Sequence, residues 1–185
     1  ITGDSLEAGV KGEWLGGRLN ASAALFKINQ DNLAEYAGYN PDTGLSYYRG
    51  EDASSEGIEF TVSGALTEIW QVFGGYTHLN ITGDNGQDAR TYVPRDMLRL
   101  STTVLIPKIE GLKLGAQLSW QGDIERAQGV LDFDGDEIIS RQQSYALLGL
   151  MASYSWNTQW TLAANIDNVT NEKYLTSLYW SQGYY

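Results

Sequence analysis

The chain of 185 residues has no cysteine and one histidine, His78. Without thiols there is no disulfide staple, no thiolate metal site and no cysteine nucleophile. A Ser-His-Asp centre or a histidine-based metal site would have to use His78, and no glycine-rich phosphate loop or other catalytic signature surrounds it, so enzymatic activity is not expected. Long apolar runs are also missing: the longest candidate, residues 146–152, falls far short of the roughly 18 residues that a spanning helix needs. Cations are scarce, with Lys plus Arg at 12 against Asp plus Glu at 23 and a net charge of −11, a field that repels phosphate backbones and excludes nucleic acid as a partner. The first residues, Ile1-Thr2-Gly3-Asp4, carry neither an initiator Met nor a basic region followed by an apolar run, the reading expected of a mature chain or a fragment.

What is abundant is a two-residue alternation, the period that sends successive side chains to opposite faces of a sheet. Leu112, Leu114, Ala116, Leu118 and Trp120 share one face, and Lys113, Gly115, Gln117 and Ser119 the other. Ile58 to Leu66, Leu98 to Val104 and Trp160 to Ile166 alternate in the same way. The expected fold is an all-β antiparallel meander of about eight strands, over residues 6–13, 18–39, 45–66, 70–82, 90–105, 112–122, 141–154 and 159–169. Short connections alternate with long polar ones, and Pro41, Pro94 and Pro107 fall in connections or at strand ends.

The apolar face meets either a second sheet, with the aromatics capping a sandwich core, or lipid, and the placement of the aromatics favours lipid. Trp14, Trp70, Tyr154, Trp156 and Trp160 all lie beside short turns, as expected of an aromatic girdle at one membrane interface, where a ring buries its body and wets its polar edge. On that reading Leu112, Leu114, Leu118, Ile58, Phe60, Leu162 and Ile166 face lipid, while Arg18, Glu59, Arg99, Lys113 and Asp167 face inward.

Several segments, in order, resemble the C-terminal part of TonB-dependent outer-membrane receptors of the ferripyoverdine and hydroxamate type. They are Leu6-Glu7-Ala8-Gly9-Val10-Lys11-Gly12-Glu13-Trp14, the stretch from Gly17 to Phe26, Gln30-Asp31-Asn32-Leu33, Ser55-Glu56-Gly57-Ile58-Glu59-Phe60, Gly74-Gly75-Tyr76-Thr77-His78, Val93-Pro94-Arg95 and the stretch from Asn165 to Tyr174. The resemblance implies that residues 1–185 form the C-terminal portion of a 22-stranded transmembrane β-barrel with a plugged lumen, without the plug, the earlier strands or the closing strand. It implies residence in the bacterial outer membrane, against lipid and lipopolysaccharide. The implied activity is binding of a ferric siderophore and its import with energy from the TonB system, which contacts an N-terminal region absent from this sequence. No covalent cofactor is implied. Aromatic rings suit such a ligand, offering large contact area and a polar rim, and Tyr36, Tyr39, Tyr47, Tyr48, Trp120, Tyr179 and Trp180 are the candidates. Tyr179 to Tyr185 is expected in the last external loop. The alternative is a small self-closed eight-stranded barrel with a structural or adhesive role.

A further motif stands outside the resemblance. From Asp132 to Gln143 the chain is similar to an EF-hand calcium loop, with Asp132, Asp134 and Asp136 at positions one, three and five and Ser140 at nine. Glu137 stands where glycine belongs, and Gln143 replaces the bidentate glutamate. Any calcium binding should therefore be weak, at roughly 10⁻⁴ to 10⁻³ M.

Overall fold

Residues 1–178 are described by a computed structural model, with the side chains of Val130 and Leu131 left aside. Ten strands form: β1 (Thr2–Trp14), β2 (Leu19–Asn40), β3 (Leu45–Ala65), β4 (Trp70–Gly83), β5 (Asp96–Leu105), β6 (Leu112–Gln121), β7 (Ile124–Leu131), β8 (Glu137–Gln142), β9 (Tyr145–Ser155) and β10 (Thr161–Ile166). Eight of them make one sheet in the order β1-β2-β3-β4-β5-β6-β9-β10, and β7 with β8 makes a separate hairpin. All pairings are antiparallel.

Three expectations need correction. The fifth strand begins at Asp96, not residue 90, because the segment before it is tied into a turn by Val93 N–H donating to Arg90 O. The connection over residues 123–140 holds the β7–β8 hairpin, so Arg141 belongs to β8 and the next sheet strand starts at Tyr145. Self-closure does not occur either: β1 and β10 are the two ends of the sheet and do not pair with each other.

Register fixes the faces. Leu112 pairs with Tyr154 and thence Leu162; Leu118 pairs with Leu100 and Leu148; Phe60 pairs with Ala23 and Tyr76. Partners share a face, so the apolar residues expected to lie together do so. Nothing in the described residues covers them. Leu6, Val10, Leu162 and Ile166 are 73%, 72%, 62% and 61% exposed, and the buried apolar side chains are Ile81, Ile124 and Leu178 alone among those described. The packed centre of a sandwich is missing. On β1 the apolar stripe from Trp14 to Leu6 gives way to Asp4, a length of about 27 Å at roughly 3.4 Å per residue. A tilt of about 40° reduces that to a height near 21 Å, close to the ~25 Å apolar band of outer-membrane barrels.

The turns are sharp where they are short. Gly64, at φ 141°, takes a conformation that side chains rarely adopt, and a Cβ there would collide with the carbonyl oxygen of Arg18. Gly64→Ala should lower unfolding stability by about 2 kcal/mol or more, measured by denaturant titration of the parent protein. Gly16→Ala, in open space, should cost about 1 kcal/mol, and equal losses would refute the steric account.

Candidate functional site

Antiparallel order sends the connections over residues 15–18, 66–69, 106–111 and 156–160 to one edge, and those over 41–44, 84–95 and 122–144 to the other. At the short-turn edge, Trp14, Trp70 and Tyr154 stand on the apolar face by register, through Leu19, Val104 and Leu162. Trp156 and Trp160 join across the last turn, where Trp156 N–H donates to Trp160 O at 3.1 Å. Tyr154 and Trp156 meet edge to face at 5.2 Å between centroids, and Trp70 Nε1 donates to Thr102 Oγ1 at 2.6 Å. All four tryptophans are exposed.

The opposite boundary of the apolar face is polar. Asn29 Nδ2 donates to Asp4 and Ser54 Oγ donates to Asn29, at 3.1 and 2.9 Å. Lys27 approaches Glu56 at 3.8 Å. Tyr76 Oη donates to Asp96 Oδ1 at 2.6 Å, and His78 Nδ1 shares that oxygen at 2.8 Å. The one histidine is thus part of an interfacial polar belt.

Above this belt β2 and β3 pair with each other through residues 32–40 and 45–52, a further span of roughly 30 Å. Tyr36 faces Tyr48 across the hairpin, edge to face at 6.0 Å between centroids. The Tyr47 ring lies over Gly38, whose φ of 147° and lack of a Cβ admit it. Tyr39 pairs one step further with Ser46. Tyr36, Tyr39, Tyr47 and Tyr48 are each about half exposed or more. Trp120 is not with them: it pairs with Leu98 and Ala146 on the apolar face. Tyr179 and Trp180 lie outside the described residues.

Sequence reading missed how the hairpin is seated. Its ladder shifts register between Gln30 and Leu33, where Asn32 takes φ 55°, a left-handed conformation that asparagine tolerates. Asn32 N–H donates to Asp52 Oδ1 at 2.8 Å, and Asp52 N–H donates to Asp84 Oδ1 at 2.8 Å, joining the hairpin to the connection after β4. A polar cleft of about 570 Å³ opens between them, lined by Glu35, Arg49, Glu51, Asp84, Asp88 and Arg90 among others. Within the same connection Arg95 Nη2 donates to Ala89 O at 2.6 Å. Burial pushes the Arg95 guanidinium below its ordinary value, and the Asp88 carboxylate partly restores it. Asn32, lying inside the break between Gln30 and Leu33, was the available signal.

The β7–β8 hairpin leans on that connection. Thr91 Oγ1 donates to Glu125 O at 2.8 Å, Glu125 N–H donates to Thr91 O at 3.1 Å, and Arg126 covers the Tyr92 ring at 4.8 Å. Beyond β10 the chain turns at Asn168, and Tyr174 stacks on Tyr145 at 4.5 Å. The acidic tip of this hairpin is the segment similar to a calcium loop. Asp132 Oδ1 is occupied as a turn cap, accepting from Asp134 N–H and Asp136 N–H at 2.9 and 3.0 Å. Ser140 lies within β8 opposite Arg126. Among the described residues no three acidic or histidine side chains gather closely enough to hold a metal ion.

The family model described as TonB dependent receptor-like, beta-barrel, matches residues 1–169. The chain belongs to the TonB-dependent receptor β-barrel family. It is 35% identical over 182 residues to the ferripyoverdine receptor of Pseudomonas aeruginosa, covering 95% of this chain and 22% of that protein. It is 33% identical over 187 residues to the ferric-pyoverdine 358 receptor of Pseudomonas putida, covering 99% of this chain and 22% of that protein. The crystal structure of the Pseudomonas aeruginosa outer-membrane receptor bound to ferripyoverdine superposes with a TM-score of 0.84 at 34% identity, over 99% of this chain and 25% of that one. The alcaligin outer-membrane receptor of Bordetella pertussis gives 0.65 at 32% identity, over 90% of this chain and 27% of that one. The chain thus spans about a fifth of the length of these curated relatives. As a TonB-dependent receptor segment it belongs to the outer membrane of Gram-negative bacteria, in a family of receptors and transporters rather than enzymes.

The seating of the hairpin can be tested directly. Asp52→Ala removes the acceptor for Asn32 N–H, so limited proteolysis of the parent receptor should cut residues 32–52 several-fold faster, with the unfolding midpoint unchanged.

Proposed function

We propose that this chain is part of the barrel wall of a receptor that binds a ferric siderophore at its outer mouth and imports it with TonB-supplied energy. The observation that carries this reading is the tyrosine-bearing β2–β3 hairpin, which rises from a TonB-dependent receptor wall beyond the apolar band. Tyr36, Tyr39, Tyr47 and Tyr48 supply rigid rings with polar hydroxyls, the combination that grips a chelate with an apolar body and a polar rim. The relatives named for ferripyoverdine and ferric pyoverdine support the class of ligand.

On this reading the apolar face meets lipid and lipopolysaccharide, and the Trp14, Trp70, Tyr154, Trp156 and Trp160 set is the inner girdle. The unclosed sheet is completed by further strands of a 22-stranded barrel. The polar face, with Arg18, Glu59, Arg99, Lys113 and Asp167, lines the lumen against a plug that precedes it in the parent chain. The receptor makes and breaks no bond in the chelate. Binding outside, followed by energy-coupled rearrangement of the plug, is the whole cycle.

Two measurements on the full-length receptor test it. Tyr47→Ala and Tyr48→Ala should each weaken ferric pyoverdine binding by about 5- to 30-fold, the effect of losing 1–2 kcal/mol of aromatic contact, without changing heat-modifiable gel migration; unchanged affinity in both would remove the hairpin from the site. Asp42→Cys in intact cells should react with a membrane-impermeant maleimide, whereas Lys108→Cys should not. The reverse labelling would invert the proposed orientation.

A further inference from the structure

The connection after β4 carries a reactive pair. Of the ten asparagines in the chain, Asn85 alone is followed by glycine. Asn85, Gly86 and Gln87 are all exposed, and a Cβ on Gly86, at φ 71°, would meet nothing within 4 Å. No side chain on residue 86 shields its nitrogen from the Asn85 amide that precedes it. The turn also activates that amide. Gln87 N–H donates to Asn85 Oδ1 at 2.9 Å, an Asx turn, which draws electrons from Cγ and stands where negative charge develops when a nucleophile adds there. One bond opposes, Gly86 N–H to Gly83 O at 2.9 Å, and in an exposed turn water can replace that acceptor. Asn157 is the internal comparison. It too is exposed in a turn, and its Oδ1 accepts from Gln159 N–H and Trp160 N–H at 2.8 and 3.0 Å, but β-branched Thr158 follows it and crowds the nitrogen.

We propose that Asn85 is a site of spontaneous deamidation, with water as the co-reactant and ammonia as the product. Gly86 N adds to Asn85 Cγ, its proton passes to solvent, and the Cγ–Nδ2 bond breaks with loss of ammonia, closing a five-membered succinimide. Water then opens one of the two ring carbonyls. Opening at Cγ leaves aspartate; opening at the backbone carbonyl leaves isoaspartate, with the chain running through Cγ and one methylene longer. Nothing is oxidised or reduced. Both products place a carboxylate in the cleft wall that Asn85 shares with Asp84 and Asp88. The isoaspartate also stretches the turn closed by Gly86 N–H to Gly83 O and Gly83 N–H to Gln87 O, at 2.9 and 3.0 Å. Asp84, inside that turn, accepts from Asp52 N–H at 2.8 Å, so the modification loosens the seat of the β2–β3 hairpin. This consequence does not depend on which ligand the receptor takes.

The test is peptide mapping by mass spectrometry of the full-length receptor, incubated at mildly alkaline pH and sampled over weeks. The Asn85 peptide should gain the mass difference between an amide and an acid at least tenfold faster than the Asn157 peptide, and isoaspartyl methyltransferase should label it. Gly86→Ala should slow conversion to the Asn157 rate, and Asn85→Gln should abolish it, since the larger ring closes far more slowly. Conversion at equal rates in the wild type, or Asn85 left intact, would overturn the site, and that comparison needs no variant to fold. Limited proteolysis measures the consequence: residues 32–52 of the aged wild type should be cut several-fold faster than those of Asn85→Gln aged in parallel. Unchanged cleavage of converted receptor would overturn the loosening of the hairpin.

Discussion

Backbone pairing in a medium without water governs this wall. Inside a bilayer each unpaired N–H or C=O costs several kcal/mol, so the strands that cross it must be in register along their whole shared length. The ladders β1–β2, β3–β4, β4–β5, β5–β6, β6–β9 and β9–β10 run without a shift. Register shifts occur at three points among the described residues: in the β2–β3 ladder between Gln30 and Leu33 and between Tyr36 and Gly38, and in the β7–β8 hairpin between Ala127 and Leu131. All three lie on the long-connection side. Irregular backbone is thus confined to that side, beyond the apolar stripe.

Continuous register also fixes chemistry, because a slip of one residue would move every side chain of a strand to the opposite face. The apolar face therefore stays apolar across eight strands, and its limits can be located: tryptophans at the short turns, and the Asp4–Asn29–Ser54, Lys27–Glu56 and Tyr76–Asp96–His78 contacts on the far side. Isolated exposed pairs of this sort contribute little stability. Their value is positional, since together they mark the polar limit of the apolar face across β1 to β5.

The strands, their antiparallel order and the two faces were legible in the sequence because a period of two is written residue by residue in Ile58–Phe60–Val62 and Leu112–Leu114–Ala116–Leu118. The aromatic edge was legible for the same reason, since turn positions follow from strand ends. What escaped was non-periodic. Alternation does not mark where β5 begins: the stretch over residues 90–95 before it is folded into a turn, with Val93 N–H donating to Arg90 O. The β7–β8 hairpin was hidden by its acidic tip, which resembled a calcium loop. There the aspartate at the first position caps its own turn, accepting from the N–H groups of Asp134 and Asp136. Trp120 looked like a ligand aromatic until register assigned its face, and the Asn32–Asp52–Asp84 chain joins residues far apart in sequence, which no local pattern encodes.

The two free edges set the terms on which any of this can operate. Among the described residues β1 and β10 each present a row of unpaired backbone groups, and about ten such groups in an apolar medium at several kcal/mol apiece amount to tens of kcal/mol, more than the marginal stability of a domain of this size can absorb. The wall is stable only where both edges are paired, which requires neighbouring strands in register on each side. Pairing at β1 fixes the height of Trp14, and through β2 it sets the height of the hairpin that carries Tyr36, Tyr39, Tyr47 and Tyr48 relative to the apolar stripe. The placement of those rings therefore depends on hydrogen bonds made one strand away, at the edge of the wall.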